Sequence, residues 1–383
     1  MKKKVGIVVL FRLDSGGGAP KVTIDLINAL NHLGMEVFLL NPFNMDYKKI
    51  EEFYGSVKIE KVYSIGGIKS FFCREEYLGR KLMKKEFQKM AKEVDFIIDI
   101  DGGVFHNYLP KGFNKSNYVI WRISCINPET SKLQNYVNSK MIIKKIIRSF
   151  SFKKQDIPTD IKVYPVDKWT EKEIIENWKM VPQETCLYQE VKTDKFISDK
   201  KKENLVVILG RIAPNKSLDD SIKIFAHGTG ESPDYKLIII GGATPDSDSY
   251  ILKLSNLAKE LGISERVKII ENPSFVQIRD ILSKSNVLID SQIGTSINIP
   301  PIEAMASGCI ILMRKNSGTY TELLENGKYG YGFENAEEGA ERLKEILRGL
   351  KEKKINNKES IKRSMDFSEE RFNRTVEKIL NEM

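Results

Sequence analysis

Histidine is scarce in this chain: three occur, His32, His106 and His227, far apart in sequence. The four cysteines, Cys73, Cys125, Cys186 and Cys309, are equally scattered. Neither set has the close spacing of a zinc centre, so a dedicated transition-metal site is not expected. Scattered cysteines fit a reducing, cytoplasmic compartment. No run approaches ~18 consecutive apolar residues, the length that reads as a transmembrane helix. Short-period repeats and low-complexity linkers are missing too. So is any aromatic-interleaved basic motif of the kind used by nucleic-acid-binding folds, which disfavours nucleic acid as a partner.

What is present is a chain of 383 residues, 41% hydrophobic and 30% charged. That composition is soluble and globular, and the length exceeds one ordinary core, so two domains are expected. The net charge of +9 favours anionic partners such as phosphate groups or an anionic membrane. The opening stretch MKKKVGIVVLFRLDSGGG has the outline of a signal peptide. Its apolar run is short, alternates, and breaks at Arg12 and Asp14 into a glycine loop, so it reads as a first strand.

Strand and helix patterns then alternate. KVGIVVLF, MEVFLL, DFIIDID (95–101) and NYVIW (117–121) read as strands, and APKVTIDLINALNHLG as a helix with Val22, Leu26 and Leu30 on one face. The alternation restarts after about residue 195 with NLVVILG, YKLIIIGG, RVKII, NVLID and CIILMR as strands. SLDDSIKIFAHG, SYILKLSNLAKELG, SFVQIRDILSKS and IPPIEAMASG read as the helices between them. A lysine-rich stretch, 351–363, precedes a last helix, SEERFNRTVEKILNEM. The class is α/β, with two doubly wound Rossmann-like units and ligands expected beyond the strand C-terminal ends.

Three stretches carry chemistry. In GRIAPNKS, Gly210 ends a strand and delivers Arg211 and Lys216 to a short loop before a helix. Cations and unpaired amides converging there suit a polyanion, though the same residues also fit an exposed turn. In SGGG, glycines 16–18 follow the first strand and would let backbone approach a phosphate. The spacing is not G-x-G-x-x-G, and the next strand ends in Asn41 rather than an acid, so a dinucleotide dehydrogenase is not indicated. In TSINIPPIEAMASG, Pro300 and Pro301 open a helix and Glu303 is expected in its first turn. There its carboxylate would accept from sugar hydroxyls, or merely complement the helix dipole, worth about 0.3–1 kcal/mol.

Taken together, the glycine loop, GR-x4-K, IPPIEAMASG and NSGTYTELLENGKYGYGF resemble the retaining glycosyltransferases of the GT-B fold. The family in question is the large one that includes glycogen synthases, sucrose synthases and lipid-linked mannosyltransferases. The resemblance is strongest over about residues 186–350. It implies two Rossmann-like domains facing across a cleft: 1–190 for the acceptor, 191–362 for a nucleotide-sugar donor, and a helix, 363–383, returning to the first. It implies catalytic roles for Arg211 and Lys216 on the donor diphosphate, stabilising charge on the leaving group. Gly16, Gly17, Gly18, Gly210, Ile299 and Glu303 would bind nucleotide and phosphates, with Glu303 on the ribose. Thr295 and Asn298 would lie against the donor sugar. On the acceptor side the residues themselves offer Asp101, at a strand end beside two glycines, with Arg122 after the NYVIW strand and His106, which does not align with the family's histidine and also fits a loop or packing residue. No cofactor and no essential metal are implied; the donor would be a UDP-, GDP- or ADP-sugar and the acceptor a lipid-linked glycan, glycolipid or polysaccharide.

Two departures stand out. The family's first glutamate falls at Thr295, eight residues before Glu303, and its following Phe-Gly falls at Ile297 and Asn298. Threonine donates and accepts hydrogen bonds but carries no charge. The histidine that relatives often carry after the NYVIW strand is replaced in this neighbourhood by Trp121 and Arg122. These departures keep a non-catalytic sugar-nucleotide-binding module open as an alternative. A GT-B epimerase is a further one, which the GR-x4-K and IPPIEAMASG pair argues against. Finally, SKMIIKKIIRSFSFKK, 139–154, places Ile143, Ile146, Ile147 and Phe150 on one helical face and Lys144 and Arg148 on another. Such a helix would suit peripheral attachment to an anionic membrane, or packing on its own domain.

Overall fold

The computed structural model describes residues 2–15, 17–67, 76–100, 105–123, 157–197, 200–244 and 247–383, with backbone alone for 76–80. The described residues form two compact units. One holds the N-terminal residues up to Glu190 together with Glu370–Met383; the other holds Val191–Glu369.

The N-terminal unit is built on β1 (Lys4–Val8), β2 (Glu36–Leu40), β3 (Lys61–Tyr63), β4 (Phe96–Asp99), β5 (Tyr118–Arg122) and β6 (Lys162–Pro165). They pair in the order β3-β2-β1-β4-β5-β6, and every pairing is parallel. Its helices include α1 (Gly18–His32), α2 (Tyr47–Tyr54), α3 (Glu76–Met90) and the short α4 (Lys168–Glu173). β1 and β4 are apolar on nearly every position because helices cover both faces of a parallel sheet. Val22, Leu26 and Leu30 of α1 are all buried, as their spacing requires.

The C-terminal unit repeats the plan. β7 (Leu205–Leu209), β8 (Lys236–Gly241), β9 (Val267–Glu271), β10 (Val287–Asp290), β11 (Ile310–Arg314) and β12 (Tyr331–Phe333) pair in the order β12-β11-β10-β7-β8-β9. All these pairings are also parallel. The helices are α5 (Leu218–Gly228), α6 (Asp248–Glu260), α7 (Phe275–Lys284), α8 (Ile299–Ala306), α9 (Ala336–Lys351) and α10 (Lys358–Ser364). Helix α7 opens on a reciprocal capping box between Ser274 and Gln277. Helices α5 and α9 pack closely: a Cβ at Gly228 would meet the Ala340 carbonyl oxygen at 2.8 Å. Between them and the sheet, Ile222, Phe225, Leu343 and Ile346 are fully buried, each contributing about 1.5–3 kcal/mol of burial free energy.

The last helix, α11 (Glu369–Asn381), buries Phe372, Val376, Ile379 and Leu380, the i, i+4, i+7 and i+8 positions of one apolar stripe. From Glu370 onward it belongs to the N-terminal unit. Phe372 packs on Trp121 with ring centroids 5.8 Å apart. Trp121 is 1% exposed and donates its indole N–H to the Leu187 carbonyl at 3.1 Å. At the helix end, Lys162 donates to the Glu382 carbonyl at 2.5 Å.

Candidate functional site

In the C-terminal unit the strand order reverses between β7 and β10. Doubly wound sheets bind ligands beyond the strand C-terminal ends at such a point. β7 runs out into Gly210 and Arg211, and β10 into Asp290, Ser291 and Gln292. Beside them, β8 ends in Gly241, where a Cβ would fall 1.5 Å from the Gly210 carbonyl oxygen. That approach excludes any side chain at position 241. The Gly242 carbonyl accepts from the Ile212 amide at 2.9 Å, so the chain carrying Arg211 is laid along the end of β8.

Arg211 is exposed and Lys216 half-buried. Lys216 closes a single 3-10 turn, Pro214–Lys216, before Ser217, in left-handed conformation (φ 49°), turns the chain into α5. Its ammonium donates to Oε1 of Gln292 at 2.5 Å. Burial holds the Lys216 pKa below the ordinary lysine value; the Asp290 carboxylate opposes that shift and the Arg211 guanidinium adds to it.

The loop from β10 to α8 is stitched to its surroundings. The Gln292 amide donates to Asp290 Oδ1 at 3.0 Å. Asn298 Nδ2 donates to Asp290 Oδ2 at 3.0 Å and to Gln292 Oε1 at 3.3 Å. Two acceptors at that atom assign it as the amide nitrogen. The Thr295 hydroxyl lies 3.4 Å from Asn298 Oδ1. The Asn298 amide donates to the Thr319 hydroxyl at 2.9 Å, and the Gly318 amide to the Thr295 carbonyl at 2.7 Å. These last bonds tie the loop after β10 to the loop after β11. Behind them Arg314, 8% exposed, donates to the Ser291 carbonyl at 3.2 Å and the Glu334 carbonyl at 2.6 Å. Ser221 and Ser291 share a hydroxyl–hydroxyl bond of 2.7 Å.

Helix α8 begins at Ile299 with Asn298 as its N-cap. Pro300 and Pro301 carry no N–H, so of the first three helical residues only Ile299 presents an amide. Glu303 is the fifth helical residue and half-buried, not a first-turn residue. This corrects the expectation from sequence, because the helix begins at Ile299, one residue ahead of the prolines, which carries Glu303 past the first turn. It also weakens the dipole reading of Glu303, since that effect fades beyond the first turn.

Arg211, Lys216, Gly210, Thr295, Asn298, Ile299 and Glu303 thus all sit in the C-terminal unit, on the ends of β7 and β10 and the start of α8. Sequence reasoning passed over Asp290, Gln292 and Arg314. The signal available for the first two was a polar pair, Asp290 and Gln292, interrupting the apolar run NVLIDSQIG.

The remaining expected residues fall in the N-terminal unit. Gly17 caps α1 at φ 140° and Gly18 is its first residue. The hydroxyl of Tyr54 donates to the carbonyls of Ser15 at 2.6 Å and Gly17 at 3.2 Å. Asn41 is fully buried and braces the same end of the sheet, donating to the Phe11 carbonyl at 2.8 Å. His106 is buried on a short turn, His106–Tyr108. Arg122 ends β5, stacks on Trp178 at 4.9 Å and stands 3.9 Å from the Glu173 carboxylate. Burial pushes the Glu173 carboxyl above its ordinary value, with Arg122 opposing. Gly16, Asp101 and the 139–154 segment lie outside the described residues. Among the described residues, no three His, Cys, Asp or Glu side chains converge as a metal site, and no helix is long and apolar enough to cross a membrane.

Two parallel sheets in this strand order, with a cationic loop at the switch point of the second, define a GT-B fold. Solved structures agree at the level of fold: a glycosyltransferase from Rickettsia africae (16% identity, 99% of each chain, TM-score 0.70). A sucrose-phosphate synthase from Thermosynechococcus elongatus aligns over 99% of this chain and 98% of its own (14% identity, TM-score 0.72). Residues 190–363, a little under half of the chain, match the family model described as glycosyl transferases group 1. Among relatives, an O-antigen chain mannosyltransferase of Salmonella typhimurium is 30% identical over 143 residues, 37% of this chain and 38% of its own. A human GDP-Man:Man(3)GlcNAc(2)-PP-Dol alpha-1,2-mannosyltransferase is 27% identical over 220 residues, 53% of this chain and 45% of its own. The aligned regions thus span less than half the length of these two relatives.

Proposed function

We propose that this protein transfers a hexose, with retention, from a nucleoside-diphosphate sugar to a hydroxyl of a lipid-linked glycan or polysaccharide acceptor. The reading rests chiefly on one observation: Arg211 and Lys216 share the loop that leaves β7 at its switch point with β10, and Lys216 reaches Gln292, which in turn bonds Asn298, the N-cap of α8. Two cations there match the charge of a diphosphate. In this reaction the bond from the anomeric carbon to the diphosphate oxygen breaks and a bond to the acceptor oxygen forms on the same face. The acceptor proton passes to the departing phosphate. Arg211 and Lys216 neutralise the charge that develops on that leaving group, which is the largest electrostatic demand of the reaction. Glu303 holds the ribose hydroxyls, and Thr295 and Asn298 border the sugar. The names of the relatives favour GDP-mannose as the first donor to try. A cytoplasmic enzyme working at a membrane surface fits a lipid-linked acceptor.

The test is a screen of GDP-mannose, UDP-glucose and ADP-glucose for thermal stabilisation and slow donor hydrolysis, then transfer to membrane-extracted acceptors. One donor should stabilise the protein, Arg211→Ala should lower turnover about 100-fold, and Glu303→Ala should weaken nucleotide binding. Stabilisation without hydrolysis or transfer would leave a binding module; no stabilisation by any nucleotide sugar would overturn the reading.

A further inference from the structure

We propose that Gln292 is a positioning residue for Lys216, and that Asp290 and Asn298 close a hydrogen-bonded ring around Gln292 that fixes where that ammonium points. The inference rests on the donor-site reading above.

The ring is closed at both ends of Gln292. Its backbone amide donates to Asp290 Oδ1 at 3.0 Å. Its side-chain oxygen accepts from Asn298 Nδ2 at 3.3 Å, and that same nitrogen donates to Asp290 Oδ2 at 3.0 Å. One carboxylate therefore restrains the main chain with one oxygen and, through Asn298, the side chain with the other. Gln292 is 9% exposed, so its carboxamide has little freedom to swing away. Lys216 donates to this braced oxygen at 2.5 Å. An ammonium has three N–H donors; Gln292 takes one and orients the rest toward the anion the site is built for.

The ring also places charge. Thr295 is neutral and touches the ring at Asn298 Oδ1, 3.4 Å from its hydroxyl. Asp290 supplies a carboxylate next to Lys216, and it favours the protonated ammonium against burial and the Arg211 guanidinium. Removing that carboxylate makes Lys216 easier to deprotonate, whereas a carboxylate in place of the Gln292 amide makes it harder. Diphosphate binding depends on the ammonium, so its loss at alkaline pH should move down in pH for Asp290→Asn and up for Gln292→Glu.

The experiment measures calorimetric affinity for inorganic pyrophosphate as a function of pH, together with hydrolysis of GDP-mannose and UDP-glucose, with thermal unfolding as the check on folding. The proteins are wild type, Gln292→Leu, the near-isosteric Gln292→Glu, and Asp290→Asn. Misplacing a reacting group by about 1 Å costs on the order of 100-fold, so Gln292→Leu should lower donor turnover on the order of 10- to 100-fold. The alkaline limb of pyrophosphate binding should move in opposite directions in the other two. Folded variants with wild-type turnover and unmoved limbs would overturn the ring while leaving the donor site standing, as would lost turnover with both limbs unmoved. A wild type that binds neither pyrophosphate nor either donor would overturn both.

Discussion

The guanidinium of Arg314 donates to the carboxylate of Asp220 at 2.5 Å, joining the end of β11 to the first turn of α5. The same side chain donates to the Ser291 carbonyl at 3.2 Å and lies over the Phe333 ring at 5.3 Å. It holds the backbone from which Asp290 and Gln292 project. Arg314→Met keeps much of the packing and removes every charged bond. Asp220 is 30% exposed, so water recovers part of the loss, and the expected cost is about 2–3 kcal/mol. Urea unfolding should give that value, and nucleotide affinity should fall with it, because Ser291 loses its anchor.

Gly241 tolerates no side chain. Its missing Cβ would stand 1.5 Å from the Gly210 oxygen, a backbone atom that no rotamer change can move aside. Gly241→Ala should therefore displace the β7–Arg211 segment. The cost should be about 1–3 kcal/mol or more, with loss of diphosphate binding; Gly242→Ala, at an exposed neighbour whose Cβ would meet nothing closer than 4.0 Å, should do much less. Paired thermal melts and pyrophosphate titrations check the contrast.

The contact of Trp121 with Phe372 secures the last helix within the N-terminal unit. Phe372→Ala removes a ring that is 3% exposed and should cost about 3–5 kcal/mol. Limited proteolysis should then cut near 369, and indole fluorescence of Trp121 should shift to the red as water enters.

Tyr54 gives a pH dependence with a definite sign. Burial, and after it the Asp25 carboxylate, push its hydroxyl up to about 12. In the unfolded chain the group ionises near 10, so between these values the folded state binds more protons than the unfolded one. The stability it contributes is fully present below pH 10 and is lost as pH rises through about 12. Tyr54→Phe should flatten that part of the alkaline unfolding curve. It should also loosen the loop at Ser15 and Gly17, seen as faster amide exchange there.

Much of the fold was legible because parallel strands and amphipathic helices write their period locally. KVGIVVLF, NLVVILG and CIILMR are strands, and the i, i+4 spacing of Val22, Leu26 and Leu30 faces the core. The edge strands β3, β6 and β12 escaped notice: at three or four residues each, they are too short to show alternation. Arg211 and Lys216 were legible because five positions of one loop separate them, and a loop of that length after a strand delivers both to one place. Glu303 falls just past the first turn where sequence puts it within it, since proline marks the start of a helix without saying which of its first positions it fills. The polar group around Lys216 was not legible. Gln292 lies 76 residues from it, and nothing in either segment names the other.

The sequence by itself determined two βα alternations, their apolar faces and a cationic loop after β7, because each depends on residues within a few positions of one another. Only the tertiary structure decided that β7 and β10 lie side by side, and so that Lys216 meets Gln292 and, through Asn298, Asp290. It likewise decided that Arg314 reaches Asp220 and that the last helix covers Trp121. Those pairings follow from how the strands order themselves in the sheet. Burial, not local spacing, selects that order.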